Sequence, residues 1–272
     1  MERYGISGIA VRGTGNGYGS YQIVKMKCKF TDSKQIYEIF KFIAQFTEDV
    51  NLVCAEDGIS IFTMSSCQTV FIDAKMPPSY FQEYECTESC LIGIRVPILL
   101  NALTKGKCEL SMQNVGDNVL FTRTTSDESV KYLIKQVNIE ENSLQIPPLK
   151  ENVTMTVQYS ILKKWKKSIL DFTKSSVTIR PMAESVHVSS KGDGGAVATE
   201  QSICKELQYL AFNEPSPMEL GNTLLNRGMM IGEVHPVVEI GYQNGMPFRI
   251  GVKLNEAYIQ VFIAPKYSDE ES

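Results

Sequence analysis

Apolar residues recur at helical spacing twice in this chain, and the two stretches keep step with each other. In "DSKQIYEIFKFIAQF" they fall at Ile36, Ile39, Ile43 and Phe46. In "SILKKWKKSILDF" they fall at Leu162, Trp165, Ile169 and Phe172, each 126 residues further on. Steps of three and four residues put each set on one face of an amphipathic helix lying on a surface. Asp32 or Ser33 opens the first helix and Ser160 the second, all of them residue types that cap helix N-termini. The correspondence continues beyond the helices. Val50 and Leu52 alternate as strand residues do, and Val177 and Ile179 match them at a displacement of 127. A turn ("AEDG" or "MAES") then leads to a second alternating pair, Ile59 and Ile61 or Val186 and Val188. This shared order identifies an internal repeat whose unit runs strand, helix, strand, tight turn, strand.

The rest of each unit reads as short strands separated by turn signals: "TVFIDAKM", "CLIGIRV", "CELSMQN", "NVLFTRTT" and "VKYLIKQV", then "VVEIGYQN", "MPFRIGVKL" and "YIQVFIAPK". "VPILLNALTKG" (96–106) predicts a second short helix, with Pro97 in its first turn and Gly106 as its stop. "SPMELGNTLLNRGM" occupies the matching place in the second copy. The pattern thus predicts an α+β fold of two similar domains, residues 23–137 and 153–266. The connector 138–152 ("NIEENSLQIPPLKEN") has two prolines and no helical stripe. Residues 1–22 are expected to be a flexible extension and 267–272 an acidic tail.

Composition adds little until charge is mapped. With 272 residues, 43% hydrophobic and 21% charged, the chain has the profile of a soluble globular protein. No apolar run approaches the roughly 20 residues that cross a bilayer, and the N-terminus is a poor signal peptide, so an intracellular protein is expected. Seven cysteines, odd in number and without framework spacing, read as reduced thiols. Cys86 and Cys90 lie close in sequence, but His187 and His235 are distant, so no metal site is expected. "GTGNGYGS" (13–20) lacks the following helix and the lysine of a phosphate-binding loop. No Ser-His-Asp arrangement points to an enzyme either.

The net charge of -4 is unevenly shared. Lys163, Lys164, Lys166, Lys167 and Lys174 stand against Asp171 alone, a local +4 that leaves -8 for the remainder. On a helical wheel Lys163, Lys164, Lys167 and Lys174 lie opposite the apolar stripe and Lys166 at the flank of that face, so Trp165 is expected in the core and the lysines in solvent. Neighbouring like charges repel, and a polyanion would relieve that: nucleic-acid phosphates, anionic lipid or an acidic protein.

The order of these features resembles the sliding clamps of the proliferating cell nuclear antigen family over about residues 23–272. "IAPKYSDEES" is similar to the family's C-terminal signature and acidic tail, and "TMSSCQTVFI" to its serine-rich strand approach. "VKYLIKQVNIEENSLQIPP" is similar to its edge strand and connector, and "NEPSPMEL" to the segment before its last helix. The resemblance implies two processivity-fold (DNA clamp) domains per chain and a homotrimeric ring with helices lining the hole and sheets outside. Such a ring encircles double-stranded DNA without sequence specificity, has no catalytic activity, cofactor or metal, and has no membrane partner. It tethers DNA polymerase, a clamp loader and other proteins carrying clamp-interacting peptides. The expected setting is nuclear, or the replication compartment of a host cell for a virus-encoded member.

Carried over by position, the DNA-facing set is Lys34, Lys41, Lys105, Lys107, Lys163, Lys164, Lys167, Lys174 and Arg227. The partner-peptide groove is Met64, Cys67, Val70, Leu144, Ile146, Met246, Pro247, Ala264 and Pro265. The subunit contacts are Tyr132 and Ile134 on one edge strand and Ala198 and Glu200 on the other. Four departures stand out: residues 1–22 have no counterpart in the family, Cys67 replaces a common histidine, the hairpin "AESV" lacks a common lysine, and "GNTLLNRG" is poor in basic residues. Two alternatives share these features. One is a subunit of a heterotrimeric checkpoint clamp; the other is an anionic-membrane-surface protein, which would need Trp165 exposed.

Overall fold

The computed structural model describes residues 24–139, 150–172, 174–192, 195–211, 217–243 and 245–266. The first half opens with β1 (Met26–Phe30), α1 (Ser33–Ile43), β2 (Asp49–Ala55), β3 (Gly58–Met64) and β4 (Val70–Met76). It continues through β5 (Phe81–Cys86), β6 (Cys90–Arg95), α2 (Val96–Ala102), β7 (Glu109–Val115), β8 (Asn118–Thr124) and β9 (Ser129–Lys135). The second half repeats this order. It begins with β10 (Val153–Gln158), α3 (Tyr159–Trp165), β11 (Ser176–Pro181), β12 (Ser185–Gly192) and β13 (Gly195–Ser202). Then come β14 (Leu207–Ala211), β15 (Met218–Gly221), α4 (Asn222–Met229), β16 (Val237–Tyr242), β17 (Phe248–Leu254) and β18 (Ala257–Ile263).

The sheets show the repeat again. A five-stranded sheet has the order β5-β1-β7-β8-β9, and a four-stranded sheet has β13-β12-β11-β15. The nine-stranded sheet between them runs β14-β10-β16-β17-β18-β4-β3-β2-β6. Its first five strands are the counterparts of the five-stranded sheet, and its last four are the counterparts of the four-stranded sheet. The halves meet where β18 pairs antiparallel with β4, from Tyr258 opposite Lys75 to Ile263 opposite Val70. Within the hairpins even the register repeats: Leu52 faces Ile61, and Ile179 faces Val188.

The helices form one connected layer. α1 packs on α2 and on the short turn 230–233, which also touches α3, while α4 packs on residues 166–170. Helix α1 forms as its sequence directs. The Asp32 carboxylate accepts from the backbone N–H of Lys34 (2.9 Å) and Gln35 (3.1 Å). Ile36, Ile39, Phe40 and Ile43 are buried. Replacing Asp32 by Ala should cost about 1 kcal/mol of stability, read as a lower denaturation midpoint in urea at unchanged slope.

Helix α3 departs from expectation at both ends. It starts at Tyr159, and no side chain among the described residues caps it, Ser160 included. The Tyr159 N–H instead donates to the Pro236 carbonyl at 2.7 Å, so tertiary structure satisfies that donor. After Trp165 the helix widens into a π turn over Lys166–Leu170, closed by Asp171 N–H donating to the Lys166 carbonyl. A π turn holds more residues than an α turn. The residues beyond it are rotated, so Leu170 is buried while Phe172 leaves the predicted stripe and is 58% exposed. Its counterpart Phe46 stays in the core at 7%. Helix α2 also ends early, at Ala102. Gly106 lies beyond it, in a loop held to the start of α1 by the Ser33 hydroxyl, which donates to the Gly106 carbonyl and accepts from Cys108 N–H.

Candidate nucleic-acid interface and peptide groove

The helical layer carries the basic residues, because packing uses the opposite faces. Ile161, Leu162, Trp165 and Ile169 are buried, so Lys163, Lys164 and Lys167 point to solvent. Lys34 stands exposed in the first turn of α1, Lys105 and Lys107 in the loop after α2, Lys174 after the π turn, and Arg227 in the last turn of α4. Among the described residues none of these eight forms an ion pair. The cations of the β1–β5–β7 region do: Lys25 with Glu88 (2.8 Å), Lys27 with Glu85 (2.7 Å) and Lys29 with Glu109 (2.9 Å). Two of the helical-layer lysines lie over aromatic rings, Lys105 over Tyr37 (5.7 Å) and Lys163 over Tyr159 (5.0 Å). These eight cations of the layer are therefore left uncompensated among the described residues, while those of the β1–β5–β7 region are neutralised locally.

Lys41 is the exception in the expected set. Its ammonium bonds Glu233, on the turn after α4, and Glu38 at 3.1 Å. These partners, Glu233 first, raise its pKa, so it stays charged but engaged. It is an ionic link between the halves, which spacing along α1 could not show because Glu233 is 192 residues away. Trp165, at 1% exposure, is a core residue, so the membrane-surface alternative loses its anchor. No helix among the described residues is long and apolar enough to cross a membrane. Among them, no group of three or more His, Cys, Asp and Glu residues could hold a metal ion.

The described members of the expected groove set lie on or near the strands of the β4–β18 seam. Met64 ends β3, and Met246, Pro247, Ala264 and Pro265 are half-buried near β17 and β18. The Ala264 N–H donates to the Thr69 carbonyl at 2.9 Å, which ties the C-terminal segment to the loop before β4. Val70 itself is buried in the core. Cys67 is exposed, and its Sγ lies 3.3 Å from the Ser65 hydroxyl and 2.9 Å from that of Thr69. Those two hydroxyls lower its pKa to about 7. Leu144 and Ile146 lie outside the described residues.

Sequence reasoning missed three aromatic rings at this seam. Phe71 stacks obliquely on Phe62 (6.0 Å) and Phe262 (6.3 Å), extending an apolar strip beside Met64. Phe62 is 49% exposed. The signal was present: Phe62 and Phe71 alternate out of phase with the core residues Ile61 and Ile72. The connector is also fastened at both described ends. Val137 N–H donates to the Gly93 carbonyl at 3.0 Å, and Asn51 Nδ2 donates to the Ile139 carbonyl at 3.2 Å. At the far end Glu151 takes a two-point bond from Arg249 and sits where any Cβ on Gly241 would collide with it.

The expected subunit contacts fall on the two outer strands. Tyr132 (half-buried) and Ile134 (buried) belong to β9, the last strand of the five-stranded sheet. Ala198 and Glu200, both exposed, belong to β13, the first strand of the four-stranded sheet. Among the described residues each strand has a sheet neighbour on one side only. An open edge of this length is a template for another chain.

Known proteins share this architecture. The family model described as proliferating cell nuclear antigen, N-terminal domain, matches residues 25–146. The proliferating cell nuclear antigen of Saccharomyces cerevisiae is 23% identical over 261 residues, covering 90% of this chain and 100% of its own. The DNA polymerase sliding clamp of Pyrococcus furiosus is 22% identical, covering 88% of this chain and 98% of its own. The crystal structure of the proliferating cellular nuclear antigen of Entamoeba histolytica superposes with a TM-score of 0.81 at 19% identity, over 90% of this chain and 100% of that one.

Proposed function

We infer that this chain belongs to the proliferating cell nuclear antigen family, as its similarity to that family's N-terminal domain and to full-length members supports, and that it assembles into a ring that encircles duplex DNA and tethers replication enzymes to it. One observation carries the ring. β9 is the counterpart of β18, and β13 is the counterpart of β4, so the two open edges are the repeats of two strands that already pair. Pairing β9 of one chain with β13 of the next would build between chains the seam that exists within each. Such a head-to-tail contact forms a ring when its rotation closes. The family resemblance supports three chains.

In that ring the continuous helical layer lines the hole with unpaired cations, and the sheets lie outside. Lysine contacts to phosphate carry no sequence information, so a ring held this way can slide. The groove at the β4–β18 seam would take the aliphatic and aromatic anchors of partner peptides, from DNA polymerase and a clamp loader among others. The clamp would act where DNA is replicated, in a nucleus or a viral replication compartment, and would itself catalyse nothing.

Two measurements test this. The native mass should be three times the 30.4 kDa of one chain; a monomer alone would favour the heterotrimeric checkpoint reading. Ring loaded on closed circular DNA should stay on it and be lost when the DNA is linearised; equal loss from both forms overturns encirclement. The edge itself offers a finer test. Gln136 N–H donates to Asp117, at the start of the β8 hairpin partner, while Val137 N–H points the other way, to Gly93. Strand alternation therefore directs the Leu133 N–H to the open edge, and Leu133 is 62% exposed. Leu133→Pro removes an edge donor while sparing the β8 ladder. It should give a folded monomer at concentrations where the unaltered chain is trimeric.

A further inference from the structure

Four cysteines of the first half converge at one end of its core. Cys86 ends β5 and Cys90 begins β6, so the turn between them crosses from the five-stranded sheet to the nine-stranded one. Cys28 lies on β1 beside β5, opposite Tyr84, whose hydroxyl donates to the Ala55 carbonyl at 2.6 Å. Cys54 on β2 is directly opposite Cys90 in the antiparallel register. Both occupy the core-facing phase of their strands, with Val50 and Leu52 on one and Ile92 and Ile94 on the other. Cys54 is buried and Cys90 only half-buried, so one thiol is sheltered and its neighbour is reachable from solvent.

We propose that Cys54 and Cys90 are a redox-active dithiol that closes to a cross-strand disulfide under hydroperoxide. Directly opposed residues of an antiparallel pair have Cα atoms about 4.5–5.5 Å apart, within the roughly 4.4–6.8 Å that disulfides span, so a small approach of the two side chains closes the bond. The chemistry divides the two roles. Cys54, beside Cys90, lowers the Cys90 pKa, with Lys25 adding to the effect, while Cys90 and burial raise that of Cys54, whose thiol donates to the Leu52 carbonyl at 3.9 Å. The Cys90 thiolate attacks the distal oxygen of the peroxide, breaking the O–O bond to give a sulfenic acid and hydroxide. Cys54 sulfur then attacks the Cys90 sulfur, forming the S–S bond. The thiol proton and the sulfenic hydroxyl leave together as water.

The bond would lock the edge strand β6 to β2. That matters beyond the pair, because β6 holds the connector through Gly93 and leads directly into α2. The inference rests on the register and burial of the cysteines and stands whether or not the chain is a clamp.

The test uses the full chain treated with hydrogen peroxide, then alkylated and cleaved without reduction, including after glutamate so that Cys86 and Cys90 part at Glu88. Mass spectrometry should find a Cys54–Cys90 cross-link two hydrogens lighter than the separate peptides. It should persist in Cys86→Ser and vanish in Cys90→Ser, whose circular dichroism should match the unaltered chain. Reversal by a dithiol reductant is expected. A Cys86–Cys90 link, or Cys90 oxidised with no link to Cys54, would overturn the assignment.

Discussion

Replacing Lys163, Lys164 and Lys167 together by alanine should weaken binding to duplex DNA and flatten its salt dependence. Each phosphate contact releases condensed counterions and contributes about -0.9 to the slope of log affinity against log salt. Three lost contacts should therefore make the slope shallower by about 2.7 for each protomer touching the duplex. At about 0.1 M salt that corresponds to an affinity loss between roughly tenfold and a few hundredfold. Titrating a labelled duplex by fluorescence anisotropy at several salt concentrations reads both quantities. The control is Lys25, Lys27 and Lys29 replaced by alanine. These cations are already paired with Glu88, Glu85 and Glu109, so their loss should change affinity little. Equal effects from the two triples would remove the helical layer from the interface. Retention of a loaded ring on circular DNA is a different quantity. It is topological, so the lysine triple should lose affinity yet remain threaded.

The second large effect is on stability. Trp165 is among the largest fully buried side chains, and it anchors α3 beneath its lysines. Trp165→Ala should cost about 3–5 kcal/mol through lost burial and a residual cavity, seen as a lower midpoint in urea at 25 °C. Trp165→Phe should cost much less than that. Among the described residues the indole Nε1 is buried with no hydrogen-bond partner, and an unsatisfied buried donor costs about 1–3 kcal/mol. Removing it offsets part of the lost area. If both variants lose the same stability, the unpaired N–H has no energetic weight.

These two expectations also show which parts of the molecule could be read from sequence. The inward face of Trp165 and the outward face of Lys163, Lys164 and Lys167 follow from helical spacing alone, and they agree with the structure. The repeat was legible through its hairpins, down to Leu52–Ile61 and Ile179–Val188. What spacing could not give depends on distant chain segments. Phe172 fits the stripe on paper and leaves it because a π turn intervenes. Lys41 reads as a free cation until Glu233 is brought beside it. Ser160 has the chemistry of a cap, but the helix already begins at Tyr159, so Ser160 lies inside it. Sequence placed Met64, Ala264 and Pro265 together only through the resemblance, and the contact of Phe71 with Phe262 depends on the β4–β18 pairing, which spacing along either strand does not contain.

That pairing has a kinetic meaning in the proposed ring. The β18–β4 seam joins strands of one chain, so its partners are held together at an effective concentration fixed by the connecting chain and independent of dilution. The matching β9–β13 seam would join separate chains, and its occupancy falls as the protein is diluted. Two junctions of the same strand type thus differ in reversibility by virtue of a covalent link alone. A ring built this way parts between chains and not within them, which gives DNA defined gates through which to enter.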